Sequence, residues 1–351
     1  MNSNPVLVEA WRGDHVESFH RGAFVVLDAQ GRVLASAGDI ERPVFPRSAI
    51  KLLQALPLVE SGAADGVGLS AEELALACAS HGGEPAHTRT AASMLAKAGL
   101  DASVLECGTH WPYDEPAKLA LAAAGDAPSA LHNNCSGKHA GFVCLGCTMA
   151  GAREARGFLA GYVGADHPVM REVGAAIEAA TGWRLADAPR ATDGCSIPTY
   201  GVPLRHLALA FARVAGDQGL SAGRAAAARR LREAIAAAPF MVGGTGRFDS
   251  RVMAQFGTRV CCKVGAEGVY CAALPEAGLG VALKMDDGNT ARAAEVAMAA
   301  LLQAFVAPRT DADAALLADL AEPPLRNWRG LAVGRLAPHE SLRQAAKPAS
   351  A

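Results

Sequence analysis

The chain has 351 residues, of which 51% are apolar and 19% charged, with a formal net charge of −2. That profile belongs to a globular protein with a core large enough to need no staples. The near-neutral balance, with no basic stripe interleaved with aromatics, argues against a nucleic-acid partner.

The N-terminal segments 5–12 and 19–28 are rich in valine and other apolar residues. Asp28-Ala29-Gln30-Gly31 is a turn signal, and 32–37 resumes strand character, so a β-meander is expected. Asp14, His15 and Glu17 stand where a signal peptide would still be apolar, which predicts a cytoplasmic location. Nine cysteines in such a chain argue against a disulfide framework; they should be buried, metal-bound or catalytic. Pro43 and Pro46 end the meander. Ile50, Leu52, Leu53, Leu56 and Val59 then recur at helical spacing, and Pro57 should kink or end that helix.

The middle of the chain reads as helical. Ser70 with Glu73 three residues on is a capping box, opening a helix that runs into Cys78 and Ser80. Further helices are expected over 88–98, 115–124, 138–150, 168–181, 203–215 and 223–237. Strands return at 258–264, 269–273 and 280–284, punctuated by Gly265, Gly268, Pro275 and Gly278. The apolar stretch 291–307 carries Arg292 and Glu295. It reads as a helix on a core and not as a membrane span, which takes about 20 apolar residues.

The expected fold class is α/β. An antiparallel sheet would be built from both chain ends, about 5–40 and 258–285, with flanking helices and a helical lobe at about 48–240. The whole would form one catalytic domain over 1–337, with 338–351 as a flexible tail. The site is expected in the crevice between sheet and lobe.

Five segments could carry chemistry. In Pro46-Arg47-Ser48-Ala49-Ile50-Lys51, the Ser-x-x-Lys spacing puts a hydroxyl and an amine on one helical face. A serine becomes a nucleophile when a base removes its proton. Lysine serves only when neutral, so its pKa must fall from about 10.4 toward about 7. An N-cap serine with a surface lysine is the plain alternative. Cys78-Ala79-Ser80-His81-Gly82-Gly83-Glu84 is a polar, glycine-bearing end to an apolar helix, suited either to a simple cap or to close approach by a ligand. His81, Glu84 and His87 fit no common zinc spacing.

His132-Asn133-Asn134-Cys135-Ser136-Gly137-Lys138-His139 is the densest cluster. Cys135 and His139 are four apart, a metal-competent spacing, and Cys135 and Lys138 three apart; buried core cysteines are the alternative. Asp193-Gly194-Cys195 offers another thiolate and a carboxylate on a turn. Lys263, between Cys262 and Val264 in a predicted strand, is either edge-exposed or buried for a reason. The order Ser48/Lys51, Ser80, Lys263/Gly265 follows that of the penicillin-recognising serine–lysine hydrolases, with Val264 in place of their threonine and no central Ser-Asp-Asn. Cys144-Leu145-Gly146-Cys147 lacks a second pair and reads as core. Gly243-Gly244-Thr245-Gly246 reads as a glycine-rich loop near the cleft.

Taken together, the segments around Ser48, Ser80, Cys135, Cys195 and Lys263 resemble the bacterial asparaginase family typified by the rhizobial enzymes, from about Val6 to about Leu336. The resemblance implies a fold like serine β-lactamases and glutaminases, a homodimer, and L-asparagine as substrate. It implies two serine–lysine pairs, Ser48 with Lys51 and Ser80 with Lys263. It also implies zinc held by Cys135, Lys138 and Cys195, with Asp193 beside it. The expected chemistry is acyl transfer from Ser48 with Lys51 as base, its pKa lowered by Lys263. Backbone N–H groups around Ser48 or Gly265 would hold the oxyanion. Arg47, His139, Asp193 and Gly265 are the expected substrate contacts. The alternative is a serine–lysine hydrolase of another amide or ester, such as a glutaminase, a β-lactamase or an esterase.

Overall fold

A computed structural model describes residues 3–151 and 154–347. The chain divides into two compact units, one formed by residues 1–49, 201–219 and 262–351, the other by 50–200 and 220–261.

The first unit is built on an eight-stranded sheet. Its strands are β1 (Val6–Arg12), β2 (His15–Asp28), β3 (Val33–Ala37), β4 (Cys261–Val264), β5 (Val269–Leu274), β6 (Leu279–Met285), β7 (Pro324–Arg326) and β8 (Ala332–Pro338). They run in the order β7-β8-β1-β2-β6-β5-β4, with β3 also on β2, and the pairings from β7 through to β5 and that of β3 with β2 are antiparallel. Both chain ends therefore meet in one sheet, with Val8 opposite Pro338 and Arg12 opposite Gly334. The first turn of β2 is largely exposed, whereas Gly22–Leu27 is buried without interruption. An unbroken buried run means that both faces of the sheet are covered there. The helix Leu204–Gly216 packs against β2, β5 and β6.

Two expectations need correction. The sheet takes a third stretch of sequence, β7 and β8, which Pro323, Pro324, Gly330 and Gly334 disguise as loop. Proline is tolerated at Pro324 because it opens an edge strand. The stretch past Pro338 was expected to be a flexible tail, yet Glu340–Ala345 is helical. Leu342 is fully buried, and His339 N–H donates to Leu7 O at 2.8 Å. Residues 348–351 lie outside the described residues.

The second unit is helical. Its main elements are α1 (Lys51–Glu60), α2 (Ala71–Ala77), α3 (Pro85–Lys97), α4 (Ser136–Ala150), α5 (Pro168–Thr181), α6 (Ala222–Ala237) and α7 (Pro239–Gly243). α4 is buried on every side from Ser136 to Gly146 and contacts α1, α2, α3 and α5, which makes it the unit's central helix. A Cβ on Gly137 would lie 2.4 Å from Leu76 O, so only glycine lets α4 approach α2 this closely. α1 passes through Pro57 to Glu60 instead of ending there. All but its last residue are buried, and tertiary packing outweighs the lost backbone hydrogen bond. The capping box at Ser70 forms as expected. Its Glu73 also accepts from Ser93 at 2.8 Å and Lys97 at 2.6 Å, tying α2 to α3. Among the described residues no helix is long and apolar enough to cross a membrane.

Candidate active site

The start of α4 concentrates ionisable groups that a core normally excludes. α4 opens at Ser136, two residues earlier than its apolar pattern suggested, so Cys135 is its N-cap. Asn133 shapes this entry: its Oδ1 accepts the Cys135 N–H at 2.9 Å, and its Nδ2 donates to Cys107 O at 2.9 Å. The hairpin of Arg190–Thr192 with Pro198–Tyr200 brings in Cys195 on its loop, where Asp193 Oδ1 accepts the Gly194 N–H at 2.6 Å. Lys138 Nζ then donates to Cys195 Sγ at 3.0 Å. Lys51, the first residue of α1, donates to Ala79 O and to Asn134 O, the latter at 3.3 Å, and also reaches Cys135. Lys51, Cys135, Lys138 and Cys195 are all at most 4% exposed.

Two ammonium groups and two thiols sharing a dry site perturb one another. The Cys195 S–H donates to Cys135 and, against the effect of burial, pulls its thiol well below the ordinary range; Lys138 and Lys51 add to this. The same bond, together with burial, pushes the Cys195 thiol up. For Lys138, burial opposes the charge, but Cys135, Cys195 and Asp193 outweigh it and keep the ammonium form. For Lys51, burial wins and lowers the amine below the usual lysine range, with Cys135 opposing and Lys138 assisting. A cation assisting that depression is Lys138.

His139 is fully buried on α4, and its Nδ1 is 2.7 Å from the Tyr162 hydroxyl. Burial first, then Lys138 and Lys51, hold its imidazole neutral, well below the usual histidine range. The second buried polar segment follows α2. Ser80 N–H donates to Val242 O at 2.9 Å, while Ser80 Oγ finds no hydrogen-bond partner among the described residues. His81 Nδ1 accepts from Gly83 N–H at 3.1 Å, so its Nε2–H donates to Ser136 Oγ at 2.9 Å. His87 stacks on His81 and Phe240, and Glu84 accepts from Thr245 N–H and hydroxyl at 2.8 and 2.7 Å. These contacts give Glu84 and both histidines structural work and seat the Gly243–Gly246 loop on this segment.

The remaining predicted site residues belong to the sheet unit. Ser48 is half-buried in the tight 3-10 turn Arg47–Ile50, and Lys51 opens α1 directly after it. Arg47 takes φ +52°, a left-handed conformation unusual for a residue with a Cβ, so the turn presenting Ser48 is strained. Gly265 packs against this turn: a Cβ there would lie 2.5 Å from Pro46 O and 3.1 Å from Ala49 Cβ. The end of β4 thus abuts the Ser48 turn. Lys263 is 3% exposed and donates to Val264 O at 2.9 Å, which settles that it is buried. Two backbone donors expected for an oxyanion are already used: Gly265 N–H bonds Val269 O at 2.8 Å and Ala49 N–H bonds Pro46 O at 3.0 Å.

The sequence matches the profile of L-asparaginase II over residues 8–338. The chain belongs to the L-asparaginase II family. It is an amidohydrolase acting on a small-molecule substrate, as its family does. A search among curated proteins returned no match.

Within this asparaginase chain, the geometry adds residues that sequence reasoning passed over. Asn133 and Asn134 lay in a noted motif without a role. His110 Nε2 accepts the Asn134 N–H at 2.9 Å, and Tyr162 meets His139. Both come from segments with no motif, so only the fold brings them to the site. No disulfide forms among the described residues. Of the C-x-x-C pair, Cys144 is core and Cys147 half-buried: Cys144 lies in α4, donates to Met94 O, and is pushed up to about 12 by burial.

Proposed function

We propose that this protein hydrolyses L-asparagine to L-aspartate and ammonia by acyl transfer, with Ser48 as nucleophile and Lys51 as base. Lys51 carries the reading. It is 1% exposed, its amine is pushed toward the neutral form, and two carbonyls fix it directly after the turn that bears Ser48. A neutral amine so placed can take the serine proton as Oγ attacks the side-chain amide carbon. The C–N bond then breaks as the proton passes to the departing ammonia, and water cleaves the acyl-enzyme. Lys263 and Ser80 form the second pair, relaying protons. Arg47, His139, Asp193 and the Gly265 backbone line the substrate's place.

Zinc belongs to the same proposal. Among the described residues no group of three His, Cys, Asp or Glu could hold a metal, so the zinc reading needs a lysine among its donors. Cys135, Cys195 and Lys138 fit that need: two buried thiols, one already inclined to ionise, and an amine 3.0 Å from a sulfur. Lys138 must lose its proton to coordinate. Bound there, zinc supplies positive charge that orients the substrate. A homodimer and a serine β-lactamase-like arrangement complete the reading drawn from the family resemblance, and a cytoplasmic location is proposed beside them.

The test is ammonia release from L-asparagine, L-glutamine and D-asparagine, with Ser48→Ala alongside. Turnover of L-asparagine lost in the variant is the expected result; release from none of the three ends the proposal. One observation favours a second reading, in which Ser80 is acylated. Its buried hydroxyl lacks a partner, and the preceding carbonyl, Ala79 O, holds Lys51. Peptide mapping of an acid-quenched acyl-enzyme separates the two.

A further inference from the structure

Tyr162 is among the largest fully buried side chains of the helical unit, and neither the family match nor any motif gives it a role. Its hydroxyl is held from two sides. Glu106 N–H donates to it at 3.1 Å, and His139 Nδ1 lies 2.7 Å away. Glu106 fixes the same segment again, through Oε1 accepting the Gly161 N–H at 2.8 Å.

The hydrogen-bond count settles the wiring. The Tyr162 oxygen already accepts from Glu106, and its own proton needs an acceptor. His139 Nδ1 is the acceptor in reach. A ring accepting at Nδ1 carries its proton on Nε2. That Nε2 is buried and has no hydrogen-bond partner among the described residues. An N–H taken from water without a partner is costly, and such groups mark places where a ligand completes the bond. Lys138, the preceding residue of α4, keeps its ammonium form and acts on this ring, so the missing acceptor sits beside positive charge.

We propose that Tyr162 is a positioning residue that locks His139 in its Nε2–H form, so that His139 donates a hydrogen bond to a carboxylate oxygen of the substrate. The inference rests on the site described under the proposed function and deepens it. It also removes His139 from two other roles: with Nδ1 occupied by Tyr162 and Nε2 protonated, neither nitrogen has a lone pair for a metal or for a substrate proton.

Histidine-labelled full-length protein tests the wiring directly. Long-range 1H–15N correlation, with His139→Gln to assign the signal, should show Nε2 protonated and Nδ1 bare. L-aspartate, added as a carboxylate probe, should shift the Nε2–H proton. In Tyr162→Phe the Nδ1–H form should appear, and KM for L-asparagine should rise about 10–100-fold with a smaller change in kcat. His139→Gln, which keeps an N–H near the Nε2 position, should retain more affinity than His139→Ala. A bare Nε2 in the unsubstituted protein overturns the proposal even if Tyr162→Phe fails to fold, and an unchanged KM in folded Tyr162→Phe overturns the positioning role. Absence of any ammonia release by the unsubstituted protein sinks the asparaginase reading instead, and the NMR result stands apart from it.

Discussion

Cys271 in the middle of β5 and Cys135 at the start of α4 are equally hidden from water, at 0% and 4% exposure, yet their chemistry is opposite. Burial acts alone on Cys271 and pushes its thiol above the ordinary range. At Cys135 the S–H of Cys195 and the amines of Lys138 and Lys51 overturn the same burial. The N-terminal end of a 15-residue helix adds positive potential at that spot. Cys271 is therefore inert sulfur and Cys135 is sulfur inclined to ionise. What differs between them is the company of charges and not the depth of burial.

The largest effect that could break this comparison is at Lys51. Lys51→Met removes the proposed base but fills the same buried space, so kcat should fall about 10²–10⁴-fold while thermal unfolding changes little. A variant with normal turnover would end the role given to Lys51. Its lowered pKa also sets a sign. Protonation below the folded value removes the base, so kcat/KM should rise with pH through that value and flatten above it, falling about tenfold per unit on the acid side. The limb must lie below the pKa of free lysine, and a pH profile measured with inert buffers places it. Next in size is Gly137→Ala, whose methyl would lie 2.4 Å from Leu76 O and force α4 off α2. The expected cost is about 1–3 kcal/mol in a denaturant melt, with kcat lowered because Cys135 and Lys138 shift. Smallest is Cys271→Ala. It should cost about 1 kcal/mol of stability and leave kcat unchanged, and a change in kcat would mean that the sheet thiol is not inert.

The parts of this molecule that could be read from sequence are those decided by neighbours along the chain. The Ser70–Glu73 capping box, the α5 span and the β1–β2–β3 meander depend on local spacing and turn chemistry. The segments at Ser48, Ser80, Cys135, Cys195 and Lys263 were visible because their polar residues interrupt apolar runs. What remained hidden depends on distant partners. Lys51 beside Cys135, Lys138 bonded to Cys195 and Tyr162 beneath His139 each join remote stretches. Pro57 misled because burial of α1 outweighs the local penalty of proline. β7 was missed because an edge strand need not look apolar, and β8 because its first four residues are not buried.

The pairing of β1 with β8 has a consequence during synthesis. One side of β1 stays unpaired until residue 338 leaves the ribosome, roughly 15–65 s after β1 itself at about 5–20 residues per second. During that interval a nascent chain exposes a strand edge able to bond with any other extended segment. The inserted helices emerge in the meantime and can collapse on local contacts, which form faster than distant strand pairings. Contacts within the middle of the chain can therefore form before the N-terminal strand meets its last partner. A chaperone that shields that first edge would raise the yield of native protein more than one that acts on the helices.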